Sequence, residues 1–216
     1  MGGYAIDFQD LLGIRKLNEP GLDRRAFTDW AENQVSAGIE SSNLLILASL
    51  GLDKEISKDE VFRYFDGYVD EIGEVMPTER VAFILAMRLT FKKLAYSELE
   101  DDVWSELTRT FVKWYDLPNG LLNRVMTYWS ALHDDFINNY EYEVGYYYLN
   151  YHRHGEIPRS KQLEYVRNCA IRFLRIFDEH YYFGLLIKKY FIQPCSDHGH
   201  FRVAFFMDKI WQLQPL

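Results

Sequence analysis

The chain has 216 residues, of which 48% are hydrophobic and 26% are charged, and its formal net charge is −8. A chain of this composition buries a sizeable core, which excludes an intrinsically disordered protein. Its two cysteines are too few for a disulfide scaffold and indicate a reducing compartment. The sequence shows no signal peptide and no apolar run of bilayer length, so we expect a cytoplasmic protein that is not associated with a membrane.

Charge and aromatic content divide the chain into two regions. Residues 1–138 carry 24 Asp and Glu against 14 Lys and Arg, a net charge of −10, and 18 aromatic residues. Residues 139–216 carry 8 Asp and Glu against 10 Lys and Arg, a net charge of +2, and also 18 aromatic residues. We therefore predict an acidic domain over 1–138 and an aromatic-rich region over 139–216. The acidic domain argues against a broad phosphate-binding surface, so nucleic acid is not the expected partner.

Capping residues and apolar side chains at helical spacing predict a series of helices in the acidic domain. A short helix around Leu11 comes first, and the predicted starts of the next five are Asp23, Ser41, Ser57, Thr78 and Ser97. A last helix follows from about Leu122 to Phe136. Because the loops between these segments are short, we predict an all-α fold, mainly an antiparallel helical bundle.

The helix that begins at Thr78 is the expected centre of the core. It contains seven consecutive apolar residues, 81–87, and extends to about Leu94. A helix that is apolar on nearly every side is covered by neighbouring helices.

The helix-forming residues of this domain also carry a family resemblance. The residues are Trp30-Ala31, Gly38, Ser41-Ser42, Leu44, Leu47-Ala48, Phe62, Phe65 and Ile72-Gly73. Over about residues 22–138 their order resembles a group of small bacterial helical proteins, some of which are similar to immunity proteins encoded beside secreted toxins. The resemblance implies an all-helical fold and a protein-binding role, and it assigns no functional residue.

The aromatic-rich region gives a mixed pattern. The Tyr-rich stretch 140–153 and the stretch that begins at Ser160 are predicted to be helical, the latter with Val166, Phe173 and Phe177 on one face. Beyond Tyr181 the helical periodicity fails. A C-terminal β-hairpin over 183–207 and two further helices both fit the branched and aromatic residues there.

One polar loop in this region resembles a metal site in composition. Cys195, Asp197, His198 and His200 lie within six residues of one another. No second Cys or His pair stands at the spacing of a structural zinc site, so we expect a solvated loop, with neither a metal nor a cofactor.

Arg175 and His180 form the strongest catalytic alternative. An Arg followed five residues later by a His, late in a helical protein, is similar to the motif of HEPN-type ribonucleases. That resemblance implies that Arg175 would bind phosphate and His180 would provide acid–base chemistry. On a straight helix, however, five residues place the two side chains about 140° apart.

The candidate binding residues lie in two acidic clusters. Asp70 and Glu71 belong to one cluster, and Glu100 and Asp101 to the other. Clustered carboxylates steer a basic partner towards a surface. The leading hypothesis is therefore a non-enzymatic cytosolic protein of the immunity or partner-inhibitor type, and the alternatives are a ribonuclease and a structural subunit of a larger bacterial complex.

Overall fold

The structure, a computed structural model, describes residues 4–18, 23–114, 123–133, 136 and 157–178. It divides into an N-terminal unit, Ala5–Leu89, and a C-terminal unit to which Tyr4 and the described residues from Thr90 onwards belong. Every regular element in these described ranges is helical, which confirms the all-α class. The domain boundary predicted near residue 138 and the hairpin considered over 183–207 lie outside the described residues, and both stay predictions.

The N-terminal unit contains four complete helices and most of a fifth. They are α1 (Phe8–Leu17), α2 (Arg25–Ser36), α3 (Ser42–Ser49), α4 (Lys58–Glu71) and α5 (Glu79–Tyr96). A short 3₁₀ turn, Leu50–Leu52, directly follows α3. Within the unit α3 packs against both α2 and α4, so helices that are neighbours in sequence are also neighbours in space.

Three predicted helix starts are confirmed by their capping bonds. The hydroxyls of Ser41, Ser57 and Thr78 each accept a hydrogen bond from the backbone N–H three residues later, at 3.2, 3.4 and 3.4 Å. Gly38 follows the end of α2 and Gly73 follows the end of α4, with φ of 87° and 68°. Only glycine adopts this left-handed conformation without steric cost, and the two glycines therefore end their helices sharply.

Aromatic rings from α1, α2 and α4 form the centre of the N-terminal core. Phe65 lies edge-on against Phe27 with 4.9 Å between ring centroids, and Phe8 stacks on Trp30 at 5.5 Å. From α3, Leu44 is completely buried beside them. Each of these helices therefore gives one face to the core.

α1 and α5 approach closely at a glycine. A Cβ atom added to Gly13 would lie 2.7 Å from the Cβ of Leu85 and 3.3 Å from the carbonyl oxygen of Ala82. These distances are shorter than side chains allow, so the packing requires glycine at this position. Leu85 itself is 1% exposed, as the sequence predicted for the apolar helix.

An ion cluster joins the same two helices. Asp7 and Asp10 cap the start of α1 reciprocally, each carboxylate accepting the backbone N–H of the other. The Nη1 atom of Arg88 on α5 lies 2.7 Å from a carboxylate oxygen of each aspartate. Asp10 is completely buried, and Arg88 supplies the cation that a buried carboxylate needs.

The described part of the C-terminal unit contains the end of α5 and three further helices, α6 (Glu100–Trp114), α7 (Asn123–His133) and α8 (Arg159–Asp178). Its core is aromatic: Phe91 lies 5.2 Å from Trp129 and 5.1 Å from Phe173, measured between ring centroids. Phe177 and Val166 on α8 are also buried, which confirms the predicted apolar face of that helix.

The predicted start of α6 is wrong by two residues. The sequence pattern placed the helix cap at Ser97, but α6 begins at Glu100. The backbone N–H of Ser97 donates to the carbonyl of Lys93, and the carbonyl of Ser97 accepts a hydrogen bond of 2.8 Å from Arg167. Ser97 therefore completes the end of α5 instead of starting α6.

Candidate functional site

The first predicted binding pair lies in the last turn of α4. Asp70 and Glu71 are both exposed. The Oε2 atom of Glu71 accepts hydrogen bonds from the Ser41 hydroxyl at 2.7 Å and from the Asn43 side-chain amide at 3.1 Å. Glu71 thus fixes the start of α3 against the end of α4, whereas the carboxylate of Asp70 has no partner among the described residues.

Exposed apolar side chains accompany these carboxylates. Ile72 is 47% exposed and Val75 is 79% exposed, directly after α4. Leu45, Ile46 and Leu52 are exposed on α3 and its 3₁₀ turn. Exposed large hydrophobic residues in such a concentration are typical of a protein-binding surface.

The surrounding sequence has no positive charge. Residues 26–53 and 64–79 contain no Lys or Arg but nine Asp and Glu. All six exposed large hydrophobic residues in the described part of the N-terminal unit fall in these two stretches; they are Ile39, Leu45, Ile46, Leu52, Ile72 and Val75. One of the nine carboxylates, Asp66, is paired with Arg15 at 2.7 Å, and Arg25 places a guanidinium 3.5 Å from a backbone carbonyl of the first stretch. The exposed apolar side chains thus lie in two stretches of sequence with a strong acidic bias.

The sequence alone does not reveal this apolar component. Both faces of α3 are apolar, and helical spacing does not tell which face meets the core when both look alike. The absence of Lys and Arg over two long stretches is a signal that would have drawn attention to the same residues.

The second predicted pair lies in the first turn of α6, in the C-terminal unit. Glu100 and Asp101 are exposed, and Glu100 accepts a hydrogen bond of 2.8 Å from the indole N–H of Trp104. Carboxylates in a first turn stabilise a helix through its dipole, which is a structural role for both residues. Leu99, 65% exposed, and Tyr96, 50% exposed, add an apolar component here as well.

The four predicted binding residues thus fall into two pairs on different compact units. In each pair one carboxylate also stabilises the local structure through a hydrogen bond. Glu71 accepts one from the start of α3, and Glu100 accepts one from an indole N–H. Asp70 and Asp101 are the members whose charge is most readily changed without disturbing the fold.

The structure describes only some of the candidate catalytic and metal-binding residues. Arg175 is exposed on the last turn of α8. His180 and the loop with Cys195 and His198 lie outside the described residues, so their arrangement stays untested. Within the described ranges, no group of three or more His, Cys, Asp or Glu side chains is placed to hold a metal ion.

Cys169 is the cysteine that the structure describes, and its surroundings are inert. Its sulfur lies 3.1 Å from the hydroxyl of Tyr128, which lies 3.2 Å from the hydroxyl of Tyr165. Burial raises the pKa of the Cys169 thiol and of the Tyr128 hydroxyl, and it raises the pKa of Tyr165 to about 12. Because only the thiolate is nucleophilic, a buried thiol with a raised pKa is a packing group and not a catalytic one.

An open cleft of about 560 Å³ lies between α6 and the start of α8. Trp104, Arg109 and Arg159 line it. The Arg159 guanidinium lies 5.3 Å from the Trp104 ring and donates to the carbonyl of Phe136 at 3.0 Å, while Arg109 is bonded to Glu106. Both guanidinium groups thus make bonds within the protein, and Arg109 is the one paired with a carboxylate among the described residues.

None of the helices described above combines the length and apolarity that a membrane crossing requires. Comparison with known proteins gives no match: no family model, no curated protein and no solved structure is significantly similar to the chain. The resemblance to small bacterial helical proteins over about residues 22–138 therefore stays a prediction.

Proposed function

We propose that the chain is a non-enzymatic cytosolic protein of the immunity or partner-inhibitor type, which binds a basic protein partner. The observation that supports this proposal is the coincidence of exposed apolar side chains with long stretches that lack Lys and Arg. Neither component alone would be informative, because single exposed hydrophobic residues and acidic helix faces are common on protein surfaces.

The two components have different roles in binding. Apolar side chains such as Leu45 and Val75 gain free energy when a partner removes them from water. Carboxylates such as Asp70 act at longer range, because they attract a basic partner and orient it before contact. A surface with both is suited to fast association and slow dissociation, which an inhibitor of a harmful enzyme needs.

Charge reversal is the direct test of this proposal. Partners retained by the wild-type chain are compared with those retained by an Asp70→Lys/Asp101→Lys chain, and the association rate of the strongest is measured against salt. We expect a basic partner whose association rate falls with added salt and falls again in the double variant, since steering is screened beyond about 8–10 Å. Glu164→Lys at an exposed position of α8 is the control, and its charge change equals that of each single substitution.

Glu71 requires a different substitution, because it also holds α3. Glu71→Gln keeps an acceptor for Ser41 and Asn43 but removes the charge. If Glu71 serves the partner through its charge, Glu71→Gln slows association while the melting temperature stays unchanged. RNA cleavage by the purified chain that disappears in His180→Ala would overturn the whole proposal in favour of the ribonuclease.

A further inference from the structure

α3 has an unusual distribution of apolar side chains. Its inner face, with Leu44 and Leu47, is completely buried in the N-terminal core. Its outer face leaves Leu45 at 55% and Ile46 at 39% exposure, and Leu52 in the following 3₁₀ turn is 89% exposed. Among the residues that the structure describes, a helix that buries one apolar face and exposes another lacks a neighbour on its outer side.

The outer face has the spacing of a helix-packing surface. We call the exposed residues Ser42, Leu45, Ile46, Ser49 and Leu52 the α3 face. Ser42 and Ser49 lie one turn before and one turn after Leu45, so small side chains alternate with large ones along the helix. Ridges of large side chains separated by small ones are what a second helix packs into.

Charge indicates what kind of helix fits. Glu40 precedes the α3 face and Asp53 follows it, and both are exposed. No Lys or Arg occurs between residues 26 and 53. The cations at the C-terminal end of the face are Lys54 and Arg25, whose guanidinium lies 3.5 Å from the carbonyl oxygen of Gly51. A second copy of the chain would bring carboxylates against carboxylates, whereas a helix bordered by Lys and Arg would pair with Glu40 and Asp53.

We propose that the α3 face docks an amphipathic helix of the partner, one whose apolar stripe is bordered by Lys or Arg. This inference rests on the function proposed above and assigns its contact surface and the form of its ligand. The apolar stripe covers Leu45, Ile46 and Leu52, and the basic borders meet the carboxylates at the two ends of the face.

A synthetic helix tests this directly. The probe is a labelled peptide of about 18 residues, long enough to form a helix, with Leu at i, i+3, i+4 and i+7 and Lys elsewhere. A second peptide carries Glu in place of Lys. Fluorescence anisotropy at physiological salt measures binding of both peptides to the wild-type chain and to Leu45→Ser/Leu52→Ser.

We expect the Lys peptide to bind the wild-type chain and to bind the double variant at least about tenfold more weakly, since two interface leucines are removed. The Glu peptide should not bind. Tyr96→Ser/Leu99→Ser is the matched control, because it removes two exposed apolar side chains from the other unit, and it should bind the Lys peptide like the wild type.

The remaining outcomes separate this inference from the proposed function. Equal binding of the Lys peptide by the wild type and by Leu45→Ser/Leu52→Ser, with loss in Asp70→Lys, overturns the α3 face and leaves the proposed function standing. A wild-type dimer that becomes a monomer in Leu45→Ser/Leu52→Ser assigns the face to a second copy and overturns the inference. Failure of the wild type to bind the Lys peptide, or equal binding of both peptides, overturns this inference. The proposed function is then decided by the association rate of the partner in the charge-reversal variants.

Discussion

The two units of the molecule use their charged and polar groups in different ways. In the N-terminal unit, Arg15 and Arg88 are bonded to carboxylates of other helices, while other carboxylates remain at the surface. Arg24 there and Arg159 in the C-terminal unit donate to backbone carbonyls. In the C-terminal unit the ion pair of Arg109 lies within one helix, α6. The N-terminal unit thus uses cations to join its helices and leaves an excess of negative charge outside.

The acidic character of the N-terminal unit follows from its composition, because residues 5–89 contain 16 Asp and Glu against nine Lys and Arg. Arg15 and Arg88 are bonded to three of these carboxylates, so the ion pairs leave the excess of negative charge nearly unchanged. The acidic stretches of the N-terminal unit then act together with the exposed residues of the α3 face. We therefore expect that buried apolar and ionic contacts control the stability of the N-terminal unit, and that its exposed residues control binding.

The largest expected effect is that of Leu85→Asp in the N-terminal unit. Leu85 is 1% exposed, and the substitution places an uncompensated carboxylate in the core at a cost of more than about 4 kcal/mol. We expect the variant in the insoluble fraction, or with no cooperative thermal transition by circular dichroism. Leu99→Asp, the same change at a 65% exposed leucine, should leave the melting temperature unchanged. A folded Leu85→Asp chain with the wild-type transition would show that α5 is not part of the core.

Arg88→Met ranks second. It leaves the fully buried carboxylate of Asp10 without its cation, and removing one partner of a buried ion pair costs about 3–5 kcal/mol. Urea denaturation should show the loss. Arg63→Met is the control, because Arg63 is exposed and lies 3.9 Å from Glu60, a pair worth less than about 1 kcal/mol. Equal effects of the two substitutions would refute the structural role given to the ion cluster.

Local sequence patterns predicted the parts of this fold that local physics controls. Ser41, Ser57 and Thr78 were found as caps because a cap bonds an N–H three residues away. The ion pair of Arg88 with Asp10 spans 78 residues, and no local pattern indicates it. Ser97 has the sequence pattern of a cap, but it ends α5 instead of starting α6, and its carbonyl accepts a hydrogen bond from Arg167, 70 residues away.

The candidate site was predicted in the same partial way. The acidic clusters with Asp70 and Asp101 follow from composition, and the structure places both residues at the surface. That Glu71 reaches Ser41 on another helix is a tertiary contact over 30 residues, and it changes the role of Glu71 from a free charge to a structural bond. Both faces of α3 are apolar in sequence, and only the burial of side chains in the structure tells which face is exposed.

A smaller effect is expected from adding one methyl group to a glycine of the N-terminal unit. Gly13→Ala would place its Cβ 2.7 Å from the Cβ of Leu85, and such overpacking costs about 1–3 kcal/mol. Gly67→Ala is the matched control. Its Cβ would meet the end of the Asn43 side chain at 2.8 Å, and displacing that side chain costs only its exposed bond to Glu71. Alanine in turn gains about 1 kcal/mol of helix propensity. Chemical denaturation should therefore show a loss for Gly13→Ala and little change, or a gain, for Gly67→Ala; the reverse order would contradict the close packing of α1 and α5.

The smallest effect concerns the C-terminal unit at alkaline pH. Burial raises the pKa of the Cys169 thiol in the folded chain, whereas an unfolded thiol titrates near about 8.5. The unfolded state therefore loses this proton first as pH rises, so the contribution of Cys169 to stability is complete below about pH 8 and declines above it. The free energy of unfolding should therefore fall between pH 8 and pH 9. Urea denaturation at the two pH values measures the change, and Cys169→Ala should remove that part of it. A Cys169→Ala chain that keeps the full pH dependence would show that the thiol beside Tyr128 is not its source.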